Sequence, residues 1–83
     1  MEYKHIHKLK GNADLMPGKG VIPEGSNIKA LHCIKKPTDK VVIRFVGNEK
    51  ADFPPESFVP GAIYPFSIRQ ISKSGEDCFY GLR

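Results

Sequence analysis

Where apolar residues of this chain fall in order, they fall at every second position, which is the signature of strands with one face buried. In Asn27 to Ile34, Ile28, Ala30, His32 and Ile34 share one face, and Lys29, Leu31 and Cys33 share the other. Val41 to Val46 is β-branched except at Arg44 and Phe45. Val41, Ile43 and Phe45 point one way there, and Val42, Arg44 and Val46 the other. In Ala62 to Ile71, Tyr64, Phe66 and Ile68 oppose Pro65, Ser67 and Arg69. In the stretch that follows, Cys78, Tyr80 and Leu82 share a face. Turn residues separate these runs. Pro37-Thr38-Asp39-Lys40 and Gly47-Asn48-Glu49-Lys50 are reversals, and Pro54-Pro55 ends a short strand at Ala51-Asp52-Phe53,. The polar loop Ser72 to Asp77 then predicts a closing antiparallel hairpin in which Phe66 meets Phe79 or Tyr80.

The first third of the chain is less regular. Met1 to Lys10 is polar and basic with Ile6 and Leu9 as anchors, and it fits either a short edge strand or a flexible arm,. Gly11 to Gly25 holds too many breakers for a helix,. Its Leu15, Val21 and Ile22 suit an ordered loop tucked against the core edge. With no helical period anywhere, the pattern predicts an all-β fold: a small antiparallel β-barrel or β-sandwich of about five to seven short strands. One domain is expected, with residues 1–26 as an N-terminal arm and ordered loop and residues 27–83 as the β-domain.

Length sharpens this picture. A chain of 83 residues buries only about 60% of its unfolded surface, so interfaces with other subunits are a natural source of stability,. The net charge is +4 and the pI about 9.2. The cations are spread along the chain, and the densest run, Lys35-Lys36 with Lys40, reads as a solvated hairpin loop,. That dispersal argues against a nucleic-acid footprint. Cys33 and Cys78 allow at most one internal disulfide and read as buried thiols,. The start of the chain lacks an apolar signal region, and the longest apolar stretch, Val41 to Val46, is too short to span a membrane,. A soluble protein made in a cytoplasm is expected.

Candidate chemistry is sparse. His5-x-His7 puts two imidazoles on one side of a strand, but His32, Cys33 and Cys78 supply no close-spaced second pair for a zinc site,. The pair reads as solvated, and His32 as a histidine at the core edge. Gly18-Lys19-Gly20 lacks the phosphate-loop spacing, and no serine has a nucleophile-elbow context,. Glu76-Asp77 read as solvated loop charges. No catalytic residue, metal or cofactor is expected, and the aromatics read mainly as core.

Several segments in order carry a family resemblance. Gly20-Val21-Ile22-Pro23-Glu24-Gly25 precedes Ala30-Leu31-His32-Cys33, and a basic turn precedes Lys40-Val41-Val42-Ile43-Arg44. Gly47 and Ala51-Asp52-Phe53 lead to Pro60-Gly61 and Ala62 to Ile71, and Cys78-Phe79-Tyr80-Gly81-Leu82 follows a Ser-Gly turn. From Val21 to Leu82 the chain resembles the small β-domains of tailed-bacteriophage virions, of the spike-base or head and tail accessory type. The resemblance implies a virion structural protein that decorates or cements a capsid, or sits at the base of a spike, and works by binding rather than catalysis. Its partners would be a major capsid protein or another virion protein, together with further copies of itself, with neither membrane nor nucleic acid involved. The arm and the Gly/Pro-rich loop are the expected docking elements, through Tyr3, His5, Ile6, His7, Leu9, Leu15, Val21 and Ile22. The alternative is a small basic nucleic-acid-binding barrel, which calls for Tyr64 and Phe66 on an open face near Lys29 and Arg44.

Overall fold

Seven short strands form two antiparallel sheets in the computed structural model, which describes residues 3–83. They are β1 (Ile6–Lys8), β2 (Ala30–Cys33), β3 (Val41–Phe45), β4 (Lys50–Phe53), β5 (Ile63–Tyr64), β6 (Ile68–Ile71) and β7 (Phe79–Leu82). One sheet runs β1-β7-β2-β5 and the other β4-β3-β6. They stack as an open sandwich around a core that includes Leu9, Leu15, Ile28, Leu31, Ile43, Phe58, Ile68, Ile71 and Phe79,. Short 3-10 turns at Pro55–Ser57 and Lys73–Gly75 are the helical elements.

The β3–β4 hairpin matches its sequence pattern. Asn48 takes the left-handed conformation at φ 75°, which asparagine tolerates better than most residues, and its N–H donates to Phe45 O at 2.8 Å,. The closing hairpin does not form. Ala62 to Ile71 is not one strand: it breaks at Pro65, which has no N–H to give a ladder, and the chain passes from one sheet to the other,. β6 therefore pairs with β3, while β7 inserts between β1 and β2. Phe66 packs on Phe45, Phe53 and Tyr64 instead of Phe79 or Tyr80. The basic segment Lys35 to Lys40 likewise joins strands of different sheets and is not a hairpin loop. Ile34, placed by alternation with the buried Ile28 and Ala30, is 41% exposed, because it lies just past the end of β2.

Residues 3–10 hold an edge strand rather than a loose arm. β1 pairs with β7, with Ile6 opposite Leu82 and Lys8 opposite Tyr80. Met1 and Glu2 lie outside the described residues. The loop after β1 covers an edge of the second sheet. Asn12 N–H donates to Ile71 O and Leu15 N–H to Arg69 O, both at 2.7 Å, and Gln70 Nε2 donates to Asn12 O at 2.9 Å. These bonds occupy the side of β6 that β3 leaves free. Residues 3–26 are thus tied into the β-domain through β1, Leu9, Leu15 and Ile22.

A bulge sets the outer face of β6. Arg44 lies opposite Gln70 and Phe45 opposite Ile68, so Arg69 is the extra residue,. Ile68 and Ile71, three positions apart, can then both face the core. Arg69 and Gln70 between them are only half-buried.

Candidate functional site

The two sheets present very different outer faces. Residues opposite one another in register share a face. In the four-stranded sheet, Leu31, Cys33, Phe79 and Gly81 lie on the core side. Ile6, Lys8, Ala30, His32, Ile63, Tyr80 and Leu82 therefore lie on the other. Ile6 is 67% exposed and Ile63 50%. Ile34 extends the same side beyond β2. A depression of about 290 Å³ lies near Ile34, lined by Lys8, Ile34, Tyr80 and the Glu76-Asp77 pair and reaching the core residues Leu9 and Phe79. An antiparallel sheet with one free face ordinarily carries polar residues on it; here exposed Ile6 and Ile63 are interspersed with Lys8, His32 and Tyr80, while Ala30 and Leu82 on the same side are buried,.

The outer face of the three-stranded sheet is basic. Lys50, Arg44 and Gln70 stand side by side across β4, β3 and β6. The bulge adds Arg69. Arg44, Arg69, Gln70, Asn12, Asn48 and Asp14 line an open depression of about 420 Å³. It is continuous with one of about 260 Å³ that adds Lys50, Val42 and Ser72, the two sharing Asn12, Arg44 and Gln70. Arg44 Nη1 donates to Asn48 O at 3.3 Å and lies 3.4 Å from Asn48 Oδ1, so the turn of its own hairpin steadies the guanidinium. Asp14 accepts the Met16 N–H at 3.0 Å and forms no ion pair. Among the described residues, the salt bridges join Lys40 to Asp52 and Lys73 to Glu76, so Arg44, Lys50 and Arg69 have no carboxylate partner.

The expected docking residues are divided by the fold. Leu9, Leu15 and Ile22 are 5%, 0% and 1% exposed and belong to the core, because β1 is tied to β7 and the loop after it to β6, which turns these side chains inward. They are unavailable to a partner of the folded protein. Tyr3, His7 and Val21 are half-buried, and His5 and Ile6 are exposed.

His7 is held by a buried cation. Arg83, 8% exposed, donates from Nε to His7 Nε2 at 2.9 Å and from Nη1 to Pro23 O at 3.1 Å and Ser26 O at 2.9 Å. Arginine can only donate, so Nε2 bears the lone pair and the ring proton sits on Nδ1. Burial, the Arg83 charge and then His5 hold the His7 imidazole below its ordinary value. Gly25 makes room for this contact: its φ is +142°, and a Cβ there would lie 2.8 Å from Arg83 Nη1. His5 and His7 have ring centres 6.1 Å apart. Among the described residues, no three His, Cys, Asp or Glu stand together as metal ligands.

Cys33 and Cys78 are unpaired and buried, and burial is the main reason that both thiols are pushed up. Tyr64 and Phe66 do not form an open stacking platform. Tyr64 meets Phe58 edge-on at 5.2 Å, and its hydroxyl accepts the Val59 N–H at 2.7 Å. Phe66 is wedged between Phe45 and Phe53. Arg44 lies on the outer face of the other sheet.

Sequence reasoning missed both outer faces. Arg44 and Lys50 flank the Gly47-Asn48 turn symmetrically, so the hairpin alone would have paired them. Joining Arg69 to them required knowing that β6 pairs with β3. No family model, curated protein or solved structure matches this chain. No helix among the described residues is long and apolar enough to cross a membrane.

Proposed function

We propose that this protein is a structural subunit of a bacteriophage virion, working by protein–protein binding as a capsid decoration or cement, or at the base of a spike. The observation that carries the reading is the set of isoleucines left open to solvent on the outer side of the four-stranded sheet, Ile6, Ile34 and Ile63. Covering a half-exposed isoleucine contributes roughly 1 kcal/mol at the usual area coefficient, so such a face gains by being covered. A marginal domain also gains stability from any partner that binds only its folded form. The partner is a major capsid protein or another virion protein, with further copies of the chain completing a ring on a symmetry axis. Catalysis plays no part, and the site of action is the virion.

The test is co-sedimentation with capsids or tail parts, using the protein and its Ile63→Asp variant. The protein pellets with particles, and Ile63→Asp lowers the bound fraction while leaving the circular dichroism spectrum unchanged. DNA affinity that survives high salt, with no affinity for any virion protein, would reject the proposal, because a few surface cations give only salt-sensitive DNA binding.

A further inference from the structure

We infer that the outer face of the β4-β3-β6 sheet is a second docking site, built to hold an acidic, extended segment of a partner protein. The inference rests on the reading of the protein as an assembly subunit and gives it a second contact. A cement must hold two things at once, and the two sheets offer faces of opposite character.

Three features select the occupant. First, Arg44 and Arg69 provide two guanidinium forks and Lys50 a third cation, none of them matched by a carboxylate among the described residues. Guanidinium forks bind carboxylates bidentately, with geometry as well as charge. Second, the spacing fits. Lys50, Arg44 and Gln70 stand side by side on neighbouring strands, about 4.8 Å apart per strand,. Alternate side chains of an extended peptide repeat at about 6.6 Å, so two or three acidic residues can reach this row. Asn12, Asn48 and Gln70 add amides along the same depression, and its single carboxylate, Asp14, accepts the Met16 N–H and is outnumbered by the two arginines. Third, the depressions contain no aromatic side chain. Single-stranded nucleic acid is held by stacking bases on aromatic rings as well as by phosphate contacts, and this face offers only the second. The phenylalanines and Tyr64 are gathered in and around the core.

The face is also firm. Arg44 is steadied by Asn48, and the Gln70 amide is fixed by donating to Asn12 O. The bulge that brings Arg69 to this side is set by packing Ile68 and Ile71 into the core.

The test uses the whole chain with two probes, fluorescein-labelled octaglutamate and an eight-nucleotide oligothymidylate, titrated at low salt and at about 0.15 M salt, where screening of exposed charges is strong. Octaglutamate binds more tightly than the oligonucleotide, and its affinity falls as salt rises. Replacing both arginines (Arg44→Gln with Arg69→Gln) weakens octaglutamate binding about tenfold, as expected for losing charge-assisted contacts. Replacing both with lysine, which keeps the charge and loses the forks, gives an intermediate loss. Lys35→Ala with Lys36→Ala removes the same charge elsewhere and changes affinity less than about twofold. Ile63→Asp leaves octaglutamate binding intact, which separates this site from the aliphatic face. The inference is overturned by tighter oligonucleotide binding that depends on Arg44 and Arg69, by equal losses in the Arg44→Gln/Arg69→Gln and Lys35→Ala/Lys36→Ala variants, or by no octaglutamate binding at low salt.

Discussion

Arg83 donates a hydrogen bond from Nε to Nε2 of His7 at 2.9 Å, so the folded protein holds this histidine neutral against a buried guanidinium. The other guanidinium contacts reach Pro23 O and Ser26 O and pin the Gly/Pro-rich loop to the end of the sheet. A proton on Nε2 would turn an acceptor into a donor and set two cations against each other. His7 is therefore a point where acid can loosen β1 and the loop together.

Stability should consequently fall with acid. The native imidazole titrates below its ordinary value, and the unfolded one near about 6.5,. The stabilising contribution is complete above the unfolded value and is lost as pH drops from there toward the lowered native one. Urea midpoints measured from pH 8 to pH 5 should decline below about pH 6.5. His7→Gln, which keeps an acceptor but cannot titrate, should flatten that decline. An unchanged slope would place the acid sensitivity elsewhere.

Gly11→Ala should destabilise the protein by about 1–3 kcal/mol, the usual cost of overpacking. A Cβ at this position would lie 2.6 Å from Lys73 Cα, and backbone cannot move aside as a side-chain tip can. Thermal denaturation of the variant measures the effect.

Phe58→Ala should cost about 3–5 kcal/mol. Phe58 is 2% exposed and touches Phe53, Tyr64 and Phe79, with ring centres 5.5, 5.2 and 4.8 Å away. It links strands of both sheets, so its loss should separate them. Chemical denaturation gives the value, and Phe58→Leu should recover most of it.

Both thiols should react slowly with Ellman's reagent near pH 8 and fully once guanidinium chloride unfolds the chain. Burial disfavours the thiolate, and the Cys33 S–H points to Lys35 O at 3.4 Å,. Rapid reaction of the folded protein would contradict this.

Alternation revealed the fold class, the β3–β4 hairpin and the inward positions Val41, Ile43 and Phe45, because each depends on a short window of chain. It did not reveal partners. Tyr64, Phe66 and Ile68 do turn toward the interior, yet Pro65 sends β5 and β6 to different sheets, and nothing local tells Phe79 to pair with Cys33 rather than with β6. Ile71 breaks strict alternation because the bulge at Arg69 shifts register, and bulges follow from packing across strands. The same gap hid both outer faces. Ile6, Ile34 and Ile63 come to one side of the same sheet only in three dimensions, with β7 and β2 between Ile6 and Ile63, and Arg44, Lys50 and Arg69 likewise gather only in the folded protein. Leu9, Leu15 and Ile22 were read as docking residues because they sit in polar, breaker-rich sequence; the β1–β7 pairing and the bonds from the loop to β6 draw them into the core.

The position of β7 between β1 and β2 fixes an order of events during synthesis. The β3–β4 hairpin has all its residues once Phe53 has been made. β1 and β2 emerge earlier, but their shared neighbour is the last strand of the fold. Ile6 lies opposite Leu82, far along the chain, and contacts between positions so distant in sequence slow folding,. Until then the edges of β1 and β2 that will flank β7 stay open, and a nascent chain held on the ribosome spends that interval open to aggregation and to chaperones,.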